Sequence, residues 1–178
     1  MFAELPLQVR EFAVLQVAVS NGASSSHTIK PEDFKFIRAD GSVIPATSPN
    51  QVVAEFLDKG GRTDVIRLVE TYELGLYGLG RLKSTNGYEV RRRQMLAEMT
   101  QQKLKAAATA SALTFVTTRL KPSESTDGAI FCPNHGKPIG AGKLVVTLGA
   151  EVFEYELGGD VAPGTLKTRP SEMPPAPH

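Results

Sequence analysis

The chain predicts a mainly β fold: an antiparallel sandwich of about seven strands, with a helical hairpin inserted in a crossover loop. Three observations predict it. The first third carries short apolar or alternating runs closed by turn residues. Between residues 48 and 111 the apolar period shifts to three and four, and from Leu113 the strand pattern returns. Strands, then helices, then strands again is the order of a sheet structure interrupted once. A parallel α/β sheet would alternate strand and helix throughout.

Residues 12–19, FAVLQVAV, are apolar and rich in β-branched residues, and the loop SNGASSS closes them. They predict a buried strand. In EDFKFIRADGSVIPA, Phe34 and Phe36 alternate with charged residues, and Asp40 and Gly41 supply hairpin-turn chemistry before Val43 and Ile44. Ser48 and Pro49 suit the N-cap and first position of a helix that carries Val52, Val53, Phe56 and Leu57 on one face and stops at Gly60-Gly61. A second helix is predicted from Thr63-Asp64 to about Leu82, on the stripe Val65, Val69, Tyr72, Leu76 and Leu79. Residues 88–110 hold strong helix formers and no glycine or proline, with Met95, Leu96, Met99 and an alanine-rich end to pack. Together these segments read as a helical hairpin.

Four strands follow: LTFVTTRL, TDGAIFC, KLVVTL and EVFEYEL. In the last, Val152, Glu154 and Glu156 share one face, and Phe153, Tyr155 and Leu157 share the other. After residue 157 the chain is rich in proline and poor in apolar groups, which predicts a flexible tail. The expected organisation is a sandwich over 1–157, interrupted by an insertion at 48–111 and followed by a tail at 158–178. An insertion of this kind is expected to be removable, because loop closure depends weakly on length.

Twenty basic against nineteen acidic side chains leave +1, too little for whole-protein attraction to nucleic acid or anionic lipid. The insertion is the basic part, with ten basic and seven acidic groups against ten and twelve in the flanking segments. A lone cysteine excludes an internal disulfide and a multi-thiolate zinc site. No window holds the ~18 uninterrupted apolar residues of a membrane-spanning helix. The opening MFAELPLQVREF lacks the basic start, apolar centre and small-residue cleavage site of a secretory leader, as expected of a cytoplasmic chain or of one whose leader has been removed.

The phrase VAVSNGASSSHTIKPEDFKFIRADGSVIPA, with the later TRLKPSESTDGAIFCP and the closing VFEYEL, resembles the small immunoglobulin-like domains of bacterial secreted proteins and lipoproteins. In those domains a strand ending near an Asn leads to an edge segment of the form "pedF.l.dadG..i.p", then to "l.pges..g.v.F.p" ahead of the last strands. The resemblance covers residues 12–47 and 113–157. It implies an immunoglobulin-like sandwich and export to the cell envelope or beyond it, and it brings no catalytic residues. The segment from Ser48 to Ser111 departs from the minimal form, so whatever is particular to this chain is expected there.

Cys132 and His135 invite a metal or thiolate reading, with His27 as a further ligand. A stable zinc or copper site needs three or four ligands, so the expected reading is a cysteine closing a buried strand and a turn at Pro133-Asn134-His135-Gly136. Gly75, Gly78 and Gly80 do not make a phosphate loop, since they sit inside an amphipathic pattern and no Gly-Lys-Ser/Thr follows. No cofactor is expected. Glu151, Glu154 and Glu156 are read as solvent-facing carboxylates of an alternating strand rather than an acid and a base, and no GxSxG elbow is present.

The expected contact surface is the apolar, glycine-containing run LGLYGLG with its basic neighbours: Leu76, Tyr77, Leu79 and Arg81, then Arg91, Arg92 and Arg93. Three consecutive arginines fan around a helix, and no aromatics interleave with them, so nucleic acid is not the expected partner. A protein partner or self-association is expected first, and weak contact with a membrane surface second. The function expected is that of a non-enzymatic interaction or structural module, with metal binding through Cys132 and His135 or His27 as the runner-up.

Overall fold

The nine residues Phe12–Ser20 form the strand around which the molecule is organised. In chain order the elements are β1 (Phe2–Ala3), β2 (Leu7–Val9), β3 (Phe12–Ser20), β4 (His27–Ile29), β5 (Phe34–Arg38), β6 (Val43–Pro45), α1 (Pro49–Lys59), α2 (Arg62–Gly78), α3 (Gln102–Leu113), β7 (Thr118–Leu120), β8 (Ser125–Pro133), β9 (Gly142–Leu148), β10 (Glu151–Leu157) and β11 (Leu166–Pro170). The computed structural model describes residues 2–3, 7–78, 87–88, 90, 100–157 and 166–170, with the backbone alone described at 2–3, 7, 71, 73–78 and 166–170.

The strands form antiparallel sheets. β3 pairs with β8 along its whole length, and β1 and β2 flank its other edge. A five-stranded sheet has the order β11-β10-β9-β5-β6, and β4 pairs with β7. β3 lacks the polar alternation of a half-solvated strand, and every residue from Phe12 to Val19 is buried. A strand covered on both faces reads in this way. Ala13, Leu15, Val17 and Val19 join Ile130 and Cys132 of β8 in a core shared with Phe34, Phe36, Leu144, Val146 and Tyr155 of the five-stranded sheet. The alternate residues Phe12 and Val14 join Ala129 and Phe131 in a second core, whose other side is Val52, Phe56, Val65, Leu68, Tyr72, Ala106 and Ala110 of the helices. The fold is therefore mixed, a mainly β structure with one helical layer over the outer face of β3 and β8.

The helical segment leaves and re-enters the sheets at neighbouring points. The Thr47 N–H donates to the Phe131 carbonyl at 2.7 Å, and the Phe115 N–H donates to the Ala129 carbonyl at 2.9 Å. Both contacts cap the free edge of β8, which blunts an edge that would otherwise offer unpaired backbone groups. At the start of α1 a capping box forms, with Gln51 N–H donating to Ser48 Oγ and the Gln51 carboxamide accepting from Ser48 N–H. Gly60 ends α1 and allows a close approach: a Cβ there would lie 2.6 Å from the Ala106 methyl of α3. At the start of α2, Asp64 accepts from Gly61 N–H at 2.8 Å and from Arg10 Nε at 2.7 Å, tying the helix to the β2–β3 turn.

The structure differs from the sequence expectation at four places. The helical layer is not a two-helix hairpin, since α3 packs against both α1 and α2. Of the helix expected over 88–110, residues 91–99 lie outside the described residues, and α3 begins only after Thr100-Gln101, where Gln101 is an extended N-cap; Thr is a weak helix former, so a start at that point costs little. α3 then continues to Leu113, because the small apolar face Ala106, Ala110 and Leu113 stays buried against the sheet, and LTFVTTRL yields only the short strand β7. Of the segment expected to be a flexible tail, residues 166–170 form β11 and give the edge of β10 a paired neighbour. The remainder of the expected tail, residues 158–165 and 171–178, lies outside the described residues. Among the described residues no helix is long and apolar enough to cross a membrane.

Candidate functional site

The two-sheet core is open at one end, where β3 runs into the loop after Ser20 and the β9–β10 hairpin turns at Gly149-Ala150. A cavity of about 290 Å³ lies there. Strand alternation builds its walls. Val19 continues the inward series of β3, Ile29 is the inward residue of β4, and Phe153 and Tyr155 are successive inward residues of β10, with Leu148 on the neighbouring strand β9 in register with Glu151. The same period of two sets the rim, since His27 lies two residues before Ile29 and Glu151 two before Phe153. Glu151 thus stands on the opposite face of β10 from Glu154 and Glu156. Glu154 pairs with Lys143 at 2.9 Å on the outer face.

Asn21 holds the loop that forms one side of the mouth. Its Nδ2 donates to the Ser25 carbonyl at 2.8 Å and to the Leu120 carbonyl at 3.1 Å, and its Oδ1 accepts from Ala23 N–H at 3.0 Å. The Asn21 backbone also exchanges bonds with Ser123 and Glu124. The rim is therefore braced by the turn LKPSES. On the rim, His27 Nε2 and Ser25 Oγ share a hydrogen bond of 3.1 Å. In the wall, Tyr155 is 3% exposed, and its hydroxyl has no hydrogen-bond partner among the described residues. Burial pushes its phenol up to about 12. A buried hydroxyl without a partner costs roughly 1–3 kcal/mol, so the wall retains a polar atom with capacity to spare.

A second polar group is sealed between the sheet and the helices. The Tyr72 hydroxyl donates to the Asp127 carboxylate, Gln16 Nε2 donates to the Tyr72 carbonyl at 3.2 Å, and the Tyr72 and Tyr88 rings lie 4.5 Å apart. Gln16, Tyr72, Tyr88 and Asp127 are each at most 4% exposed. This cluster fastens α2 to β3 and β8. Neither it nor the cavity was apparent from spacing, because Gln16, Tyr72 and Asp127 come together only through folding.

Cys132 and His135 are not brought together. Cys132 faces the two-sheet core at 0% exposure, opposite Ala13. His135 is exposed on the turn after β8, with φ +54, and Asn134 anchors that turn through the Gln8 carboxamide and the Lys137 carbonyl. His27 stands at the cavity rim. Among the described residues no three His, Cys, Asp or Glu side chains converge as metal ligands. Burial pushes the Cys132 thiol up from 9.0 to about 12. A folded value above the unfolded one stabilises the protein below about pH 9, and that contribution is lost as the pH rises toward 12. At pH 8 the thiol is therefore expected to react with an aromatic disulfide reagent only at the rate of unfolding, and Cys132→Ala is expected to flatten the fall in urea midpoint between pH 9 and pH 11. Rapid stoichiometric labelling of the native protein would show an accessible thiolate.

Of the expected contact residues, Leu76 and Tyr77 lie on the last turn of α2, where the backbone alone is described. Leu79, Arg81, Arg91, Arg92 and Arg93 lie outside the described residues. Comparison with known proteins finds no family model, no curated protein and no solved structure that matches the chain.

Proposed function

We propose that the chain is a non-enzymatic interaction module, an immunoglobulin-like sandwich exported to the bacterial envelope or beyond, whose helical layer is the element that meets a second copy of the chain. One observation carries the choice of the helical layer. Six large apolar side chains are exposed among the described residues, and four of them, Leu57, Ile66, Val90 and Leu104, belong to the helical segment. Leu57 and Leu104 share one end of the layer, because Lys103 Nζ on α3 bonds to the Asp58 carbonyl on α1. A contiguous apolar patch marks association surfaces on soluble proteins, and the neighbouring pair Leu57 and Leu104 is the start of one. In sequence, the run from Leu76 to Arg81 and the cluster Arg91 to Arg93 belong to the same stretch, 48–111. The immunoglobulin-like and exported parts of the proposal rest on the sequence resemblance over residues 12–47 and 113–157.

Analytical ultracentrifugation of the parent chain is expected to show concentration-dependent self-association. Replacing Leu57, Ile66 and Leu104 with Ser should weaken it at least tenfold while urea unfolding stays one cooperative transition, with a loss of about 1 kcal/mol per site. Replacing Leu76, Tyr77 and Leu79 with Ser or Gln tests the neighbouring stripe. A parent that stays monomeric at high concentration would remove self-association from the proposal, and co-sedimentation with anionic vesicles would redirect the surface to lipid.

A further inference from the structure

We propose that the cavity at the open end of the two-sheet core binds a small amine, an ammonium group carried on an aromatic or branched apolar body. Its shape and its charge both point there. The body of the cavity is Val19, Ile29, Leu148, Phe153 and Tyr155, so its walls are aliphatic and aromatic. An apolar cavity of about 150 Å³ already takes a benzene ring. The 290 Å³ at this site suits a bicyclic ring or a ring with a short chain. The rim supplies a carboxylate from Glu151 and an imidazole from His27, and among the described residues no lysine or arginine lines the cavity. A cationic head therefore finds a counter-charge at the mouth while its apolar body is buried, with the rings of Phe153 and Tyr155 to receive the positive charge. An anionic head on the same body finds no fixed cation among the described lining residues. The site is distinct from the helical layer, so its failure and the failure of the association proposal are read by separate experiments.

Methyl-resolved NMR titration of the full chain tests it, with tryptamine as the cationic probe and indole-3-propionate as its anionic counterpart. Tryptamine is expected to give saturable shifts centred on the methyls of Val19, Ile29 and Leu148, with about three- to fivefold tighter binding than indole-3-propionate. Glu151→Gln, an exposed and conservative change, should erase most of that preference. Leu148→Trp, which fills the cavity, should abolish the shifts of both probes. If Leu148→Trp does not fold, the Glu151→Gln comparison alone decides. Absence of saturable shifts with either probe at millimolar concentration would overturn the proposal. So would equal affinity for the two probes, or a preference that survives Glu151→Gln.

Discussion

Phe56→Ala and Phe131→Ala are each expected to destabilise the protein by about 3–5 kcal/mol, a large part of the 5–15 kcal/mol that holds a typical domain together. Phe56 is 0% exposed on α1 and Phe131 is 1% exposed on β8. Their rings meet edge-on at 6.2 Å, and Phe12 of β3 lies 6.3 Å from Phe56 and 5.7 Å from Phe131. Truncating either ring removes its own burial and leaves a cavity that the partners fill only in part. The more informative of the two is Phe56, because it belongs to the helical segment. If that segment were an appendage, Phe56→Ala would melt helix and leave the sheet transition in place. Because Phe56 packs against both β3 and β8, urea unfolding followed by helix and strand signals in circular dichroism should shift together, in one cooperative transition. Separate transitions in the variant would show two independent units.

What the sequence disclosed was local, and what it withheld was long-range. The β5–β6 hairpin was legible because Asp40 and Gly41 carry their own turn chemistry, and Gly41 adopts φ +83. The start of α1 was legible because Ser48, Pro49 and Gln51 form a cap within four residues. The inward and outward sides of β10 followed from its alternation. The continuous burial of FAVLQVAV was also visible, but its meaning was not, because a run without alternation does not say what covers the second face. That face receives helices more than thirty residues distant in the chain. The short strands β1, β2 and β4 were hidden because two or three residues carry no period, and they pair only where β3 or β7 is already placed. The cavity escaped for a related reason: Val19, Ile29, Leu148 and Tyr155 each read as ordinary core residues, and only the shared end of four strands turns them into a wall. For Glu151, the strand period alone separated it from Glu154 and Glu156, and that separation was the one available signal of the rim.

Deleting residues 50–110 and closing the gap with a short Gly/Ser linker tests most directly whether the helical layer is half of the core. Closure itself is mild, since Thr47 and Phe115 both bond to β8 at carbonyls only two residues apart, about 7 Å along a strand. What the deletion removes is cover for Val9, Phe12, Val14 and Phe131, whose burial contributes roughly 1.5–3 kcal/mol each. The predicted product is not a monomeric, cooperatively folding domain but a weakly stable or associating chain. Replacing Phe12, Val14 and Phe131 with Thr in the same deletion should recover solubility by making the bared face polar. A deletion variant that is monomeric and unfolds at the parent's urea midpoint would contradict the shared core and return the helices to the status of a removable insertion.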